Sequence, residues 1–111
     1  MSGALAEIEM ISEVLPLVCD SVMTNEIVGY MKELSIPELT PVPDTSAIAS
    51  EDFATIAEKV PNVFMYLLAG YMDERGDVPA HNPKLQFNEN VCPIGSAYLT
   101  QCTVRWLKEH Q

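Results

Sequence analysis

The first apolar pattern along the chain predicts a strand. From Ala4 to Met10, one set of alternate positions is entirely apolar and the other carries Glu7 and Glu9. This period of two is typical of a half-buried strand. We expect the strand to continue toward Leu15, where Pro16 interrupts its hydrogen-bonding ladder.

Two helices and one further strand are predicted in the middle of the chain. Thr24 can cap a helix that Pro37 stops, and its apolar residues recur at helical spacing: Ile27, Val28, Met31 and Leu34. The proline-rich segment 37–44 indicates an extended connection with a short strand at Leu39 to Val42. Ser50 is a good cap for a helix running to about Lys59, whose first turn holds Glu51 and Asp52.

The last part of the chain predicts a strand, a loop and a helix. The continuous apolar run Val63 to Leu68 is typical of a strand that is buried on both faces. The polar stretch from Tyr71 to Asn90 indicates a long loop, and loops of that length are often functional or disordered. After Pro93, apolar residues at every fourth position predict an amphipathic helix: Ile94, Tyr98, Cys102 and Trp106. Strands alternating with helices indicate an α/β fold.

Composition and charge exclude several classes of function. The chain has 111 residues, 48% of them hydrophobic, which fits one globular unit. Its formal net charge of -10 repels phosphate backbones and anionic headgroups, so neither nucleic acid nor a membrane surface is an expected partner. A cytoplasmic location is expected, and the three cysteines (Cys19, Cys92 and Cys102) are expected as buried free thiols.

His81 is the residue whose position best suits chemistry. It lies in the long loop that follows the predicted buried strand, where α/β folds place ligand sites, although a solvated loop histidine has the same pattern. His110 lies at the C-terminus and is expected to be inert. Glu51 and Asp52 are neighbours on a helix and do not face each other, so helix capping explains them better than an acid–base pair.

Several motifs, in order, resemble the two-zinc amidohydrolases, a family that includes aminoacylases, hippurate hydrolases, auxin-conjugate hydrolases and enzymes of the carboxypeptidase G type. The resemblance covers residues 50–109 best. The motifs are Ala49-Ser50-Glu51-Asp52-Phe53, Val60-Pro61-Asn62-Val63, Ala80-His81-Asn82-Pro83-Lys84-Leu85, Phe87-Asn88-Glu89, Pro93-Ile94-Gly95-Ser96-Ala97 and Arg105-Trp106-Leu107.

The resemblance implies a fold, a metal and site residues. Residues 1–17 would end the lid and dimerisation domain, and residues 18–111 would form the C-terminal part of a zinc-peptidase-like catalytic domain. His81 would be a ligand to one zinc of a pair that activates water against an amide carbonyl. The positions that would shape the substrate site are Ser50, Glu51, Asp52 and Gly95.

The resemblance also implies that the chain is incomplete as an enzyme. The family's other metal ligands and its general-base glutamate lie in an N-terminal half, so the isolated chain is expected to be inactive on N-acyl amino acids or peptide amides. Its expected partner is that half or another copy of itself, because the apolar run Val63 to Leu68 would otherwise be exposed. The alternative is a non-catalytic, self-associating module derived from this fold.

Overall fold

The computed structural model describes residues 3–9, 14–36, 41–42, 46–47 and 49–111. Three α-helices follow one another along the chain: α1 (Ser21–Glu33), α2 (Ala54–Ala57) and α3 (Cys92–Glu109). Two short 3-10 helices, Glu74–Asp77 and Glu89–Val91, lie between α2 and α3. None of these helices, within the ranges just given, is long and apolar enough to cross a membrane.

Helix α1 starts where a side chain satisfies its free amides. Asp20 is the N-cap, and its Oδ1 accepts a hydrogen bond from the Met23 amide at 2.8 Å. The predicted cap, Thr24, instead lies inside the first turn and donates its hydroxyl to the Asp20 carbonyl. The helical spacing itself is confirmed, because Ile27 is buried on the face that packs against α3.

Helices α1 and α3 pack together and form the core. Its buried members are Ile27, Tyr30 and Cys102, and the half-buried residues packed around them are Met23, Met31, Val63 and Trp106. On α3 the predicted stripe is confirmed, since Tyr98 and Cys102 are its buried residues and Pro93 lies in its first turn. Burial raises the pKa of the Cys102 thiol. Cys19 is only half-buried and Cys92 is exposed, so the prediction of three buried thiols is wrong.

The α/β prediction is wrong, because the residues that the structure describes contain helices and no β-strand. Residues 4–9 lie in solvent outside any ladder, and Leu5 is 100% exposed. The strand predicted at Leu39 to Val42 falls partly outside the described residues, and Pro41 and Val42 are not in a strand. An alternating pattern becomes a strand only where another strand completes its hydrogen bonds.

The predicted buried strand Val63 to Leu68 is also corrected. Val63 and Phe64 are half-buried against the helices, but Met65, Tyr66, Leu67 and Leu68 are exposed, Leu68 by 83%. A segment is buried on both faces only when layers cover both of its faces, and α1 and α3 supply a single layer. The radius of gyration is 19.0 Å, against about 13 Å for a compact domain of about this length. The described residues therefore do not pack into a single compact core.

Asn62 joins the segment before α1 to the end of α2. This buried residue donates from Nδ2 to the carbonyl oxygens of Val18 at 3.2 Å and Ala57 at 3.4 Å. The backbone carbonyl oxygen of Asn62 accepts a hydrogen bond from the Asp20 amide at 2.9 Å. These bonds fix the entry into α1 against the start of the apolar run, because each satisfies a backbone group that folding removes from water.

Candidate functional site

The loop that carries His81 is shaped by the two residues that follow it. Asn82 Oδ1 accepts from the Lys84 amide at 2.9 Å, and the Asn82 carbonyl accepts from the Leu85 amide at 3.0 Å. These bonds define a β-turn with Asn82 at its first position and Pro83 at its second. Asparagine and proline are favoured at these two positions of a turn. The His-Asn-Pro-Lys sequence therefore makes a stable turn immediately after the histidine.

His81 itself has a left-handed backbone conformation, with φ at 65°. Histidine adopts this conformation more often than most residues, but it remains uncommon outside glycine. The side chain is exposed, while Val78 and Leu85 on either side of the loop are half-buried. The loop is thus held at both ends and presents an imidazole to solvent between them.

The other predicted site residues form a turn that leads into α2. The Glu51 carboxylate accepts from the Phe53 amide at 3.1 Å, and the Glu51 carbonyl accepts from the Ala54 amide at 3.1 Å. Ser50 and Asp52 are exposed. The prediction that Ser50 caps a helix reaching Lys59 is wrong, because α2 begins three residues later than that helix would and ends at Ala57.

Gly95 lies in the first turn of α3, beside the apolar run. It lines a groove of about 500 Å³ together with Met31, Met65, Leu67, Tyr98 and Leu99. Neither His81 nor the turn at Ser50 to Asp52 contributes to this groove. The structure therefore gives Gly95 a packing role next to Leu67 and does not bring it together with His81.

The described residues do not form a metal site by themselves. No group of three or more histidine, cysteine, aspartate or glutamate side chains within them converges closely enough to hold an ion. A protein zinc site needs three or four such ligands. The part of the chain that the structure describes would therefore need ligands from elsewhere to complete a zinc site.

The sequence did not predict one cluster of ionisable residues. His110 stacks on Trp106 and lies 3.4 Å from Glu26 of α1, so it is part of the helix pairing and not an inert end. The spacing of four residues between Trp106 and His110 was the available signal.

No family model and no solved structure matches the chain. The resemblance to the two-zinc amidohydrolases therefore rests on the sequence motifs alone.

Proposed function

We propose that this chain is the C-terminal portion of a zinc-dependent amidohydrolase that cleaves N-acyl amino acids or peptide amides. In this proposal His81 donates one ligand to a two-zinc site, and the metal pair would supply the activated water. The observation that carries the proposal is that His81 has an exposed side chain and a left-handed backbone conformation directly before the Asn82-Pro83 turn. Uncommon backbone conformations often accompany functional positions.

The open surface of the chain supports a missing partner. The side chains from Met65 to Leu68 are exposed beside the apolar groove, where a soluble monomer would normally bury them. In the proposal, the N-terminal half of the enzyme covers this surface and brings the remaining zinc ligands and the general base. The isolated chain is then expected to show no hydrolysis, with or without added zinc.

Reconstitution tests this function directly. The full chain is mixed with an N-terminal aminoacylase portion that carries the other zinc ligands, and hydrolysis of an N-acetyl amino acid is followed with added zinc. We expect activity that is lost in His81→Ala and kept in His110→Ala, the matched control at the other histidine. Activity that survives His81→Ala, or activity of the chain alone, contradicts the proposal.

The DNA upstream of Met1 provides an independent test. A reading frame that continues upstream and encodes a Cys-Gly-His-Asp type motif and a Glu-Glu pair supports the amidohydrolase. A stop codon before Met1, with no such partner encoded nearby, contradicts it and favours the second candidate described below.

A non-catalytic self-associating module is the second candidate. The observation that favours it is the exposure of Leu68 and Tyr66, at 83% and 61%, on a surface that another copy can cover. The net charge of -10 opposes such association at low ionic strength, so added salt should promote it. Sedimentation equilibrium at micromolar concentration distinguishes the cases, since a strictly monomeric mass at low and high salt contradicts the module.

A further inference from the structure

The end of α3 meets α1 in a network of polar side chains that lies outside the proposed zinc site. The Tyr30 hydroxyl is 2.8 Å from Glu26 Oε1 and 2.6 Å from Glu109 Oε2. Arg105 pairs with Glu109 on its own helix and, through Nη1 at 2.8 Å, with Glu33 of α1. The network therefore joins the two helices at the edge of the core, because Tyr30 is one of its buried members.

The Tyr30 hydroxyl cannot serve both carboxylates. It carries one proton, and an ionised carboxylate only accepts hydrogen bonds. Its shorter contact is with Glu109, and the hydrogen bond from Tyr30, followed by that from Arg105, lowers the pKa of Glu109. Burial and the two nearby carboxylates raise the pKa of Tyr30, so the hydroxyl stays protonated. Glu26 Oε1 can therefore accept a hydrogen bond from a second donor.

His110 is placed to be that donor. Its Nε2 lies 3.4 Å from Glu26 Oε1, and its Nδ1 lies 2.9 Å from the Trp106 carbonyl oxygen. Both of these oxygens are acceptors, and a neutral imidazole has a single N–H. Only the protonated ring can donate on both sides at once.

We propose that His110 is a pH-responsive clasp, whose protonation completes the network around Tyr30 and tightens the packing of α3 on α1. Among the charged and titratable groups of the network, Glu26 of α1 contacts the ring, and Glu109 of α3 interacts with its charge. Tyr30 contacts both carboxylates, and Arg105 pairs with Glu109. Because the folded state makes more bonds to the protonated ring, the clasp is complete at low pH. Its contribution is lost when the ring gives up this proton as pH rises.

The single tryptophan of the chain makes the clasp observable. Trp106 stacks on His110 with ring centroids 4.6 Å apart and planes inclined by 11°. An imidazolium quenches indole fluorescence more strongly than a neutral imidazole does. We expect the emission of the full chain to fall as pH decreases from about 8 to about 5. His110→Gln should remove this transition, and His81→Gln, the matched control, should keep it.

A double-mutant cycle tests whether the protonated ring stabilises the helix pairing. Glu26→Gln and His110→Gln are combined, and the unfolding equilibrium constant is measured in urea. At about pH 5.5 we expect a coupling of about two- to fivefold, typical of a partly exposed ion pair, and none at about pH 8. Glu33→Gln replaces Glu26→Gln as the control and should show no coupling, because Glu33 pairs with Arg105. Equal coupling at both pH values, no coupling at either, or a fluorescence transition that survives His110→Gln overturns the proposal.

Discussion

Gly95 lies directly against Leu67, so closely that a β-carbon added at Gly95 would be 2.8 Å from Leu67 Cδ2. The apolar run therefore rests on the first turn of α3 at a position where any side chain larger than that of glycine requires Leu67 to move. The atom that approaches is the end of a side chain that is 41% exposed, and such a side chain can move. The contact is tight, but it is not rigid.

This contact predicts the effect of Gly95→Ala. Alanine in a helix is favoured over glycine by about 1 kcal/mol, and moving Leu67 off its rotamer costs about 0.5–1.5 kcal/mol. The two effects nearly cancel, so the free energy of unfolding should change by less than about 0.5 kcal/mol. In a Leu67→Ala background the same substitution should stabilise by about 0.5–1 kcal/mol. Urea unfolding followed by circular dichroism measures both differences.

Gly29 provides the matched control for this prediction. It lies inside α1, and nothing comes within 4 Å of a β-carbon added there. Gly29→Ala should therefore stabilise by about 0.5–1 kcal/mol in either background. If Gly95→Ala and Gly29→Ala gave equal gains in the natural sequence, the tight packing on Leu67 would be refuted.

The sequence predicted α1 and α3 well because their apolar spacing reflects a contact between two elements that the chain contains. Ile27 on α1 and Cys102 on α3 are buried against each other, and both lie in the predicted stripes. The strands failed for the opposite reason. The runs Ala4 to Met10 and Val63 to Leu68 have strand patterns, but a pattern cannot show whether a partner strand is present. His110 was missed because its importance depends on Glu26, a residue far away in sequence.

Asn62 should be intolerant of a negative charge. Its Nδ2 faces the carbonyl oxygens of Val18 and Ala57, so Asn62→Asp places a carboxylate against acceptors in a buried site. We expect Asn62→Asp to lower the free energy of unfolding by at least about 3 kcal/mol at pH 7. The introduced carboxyl is protonated more easily in the folded chain than in the unfolded chain, so the loss should shrink as pH falls toward about 4 and level off below it. Urea unfolding at a series of pH values measures this dependence.

Asn88 is the control for the change at Asn62. Its Oδ1 accepts a hydrogen bond from the Asn90 amide at 3.1 Å, a role that a carboxylate fills equally well. Asn88→Asp should change the free energy of unfolding by less than about 0.5 kcal/mol at pH 7. A loss at Asn88 as large as that at Asn62 would show that added negative charge, and not the local acceptors, causes the effect.

Asp73 should titrate at an unusually low pH. The Arg75 side chain donates to both oxygens of the Asp73 carboxylate, and this lowers the pKa of Asp73 to about 2. A lowered pKa means that the pair stabilises the loop above the ordinary carboxyl pKa, with the contribution lost as pH falls through about 2. Carbon NMR of the carboxyl group measures the titration. Arg75→Gln should raise the pKa of Asp73 without restoring it fully, because the amide of residue 75 still donates to Asp73 Oδ1 at 3.0 Å. Arg105→Gln should leave the pKa of Asp73 unchanged.

His81 should show a trade-off between stability and function. Its left-handed conformation suits glycine better, so His81→Gly removes backbone strain while it adds entropy to the unfolded chain. The neighbouring Ala80→Gly adds the same entropy without relieving a positive φ. The His81→Gly chain should therefore be more stable than the Ala80→Gly chain by about 1 kcal/mol. In the reconstituted enzyme the order should reverse, because only Ala80→Gly keeps the imidazole and with it hydrolysis. Equal stabilities would show that the conformation is not strained, and activity in His81→Gly would remove the metal-ligand role.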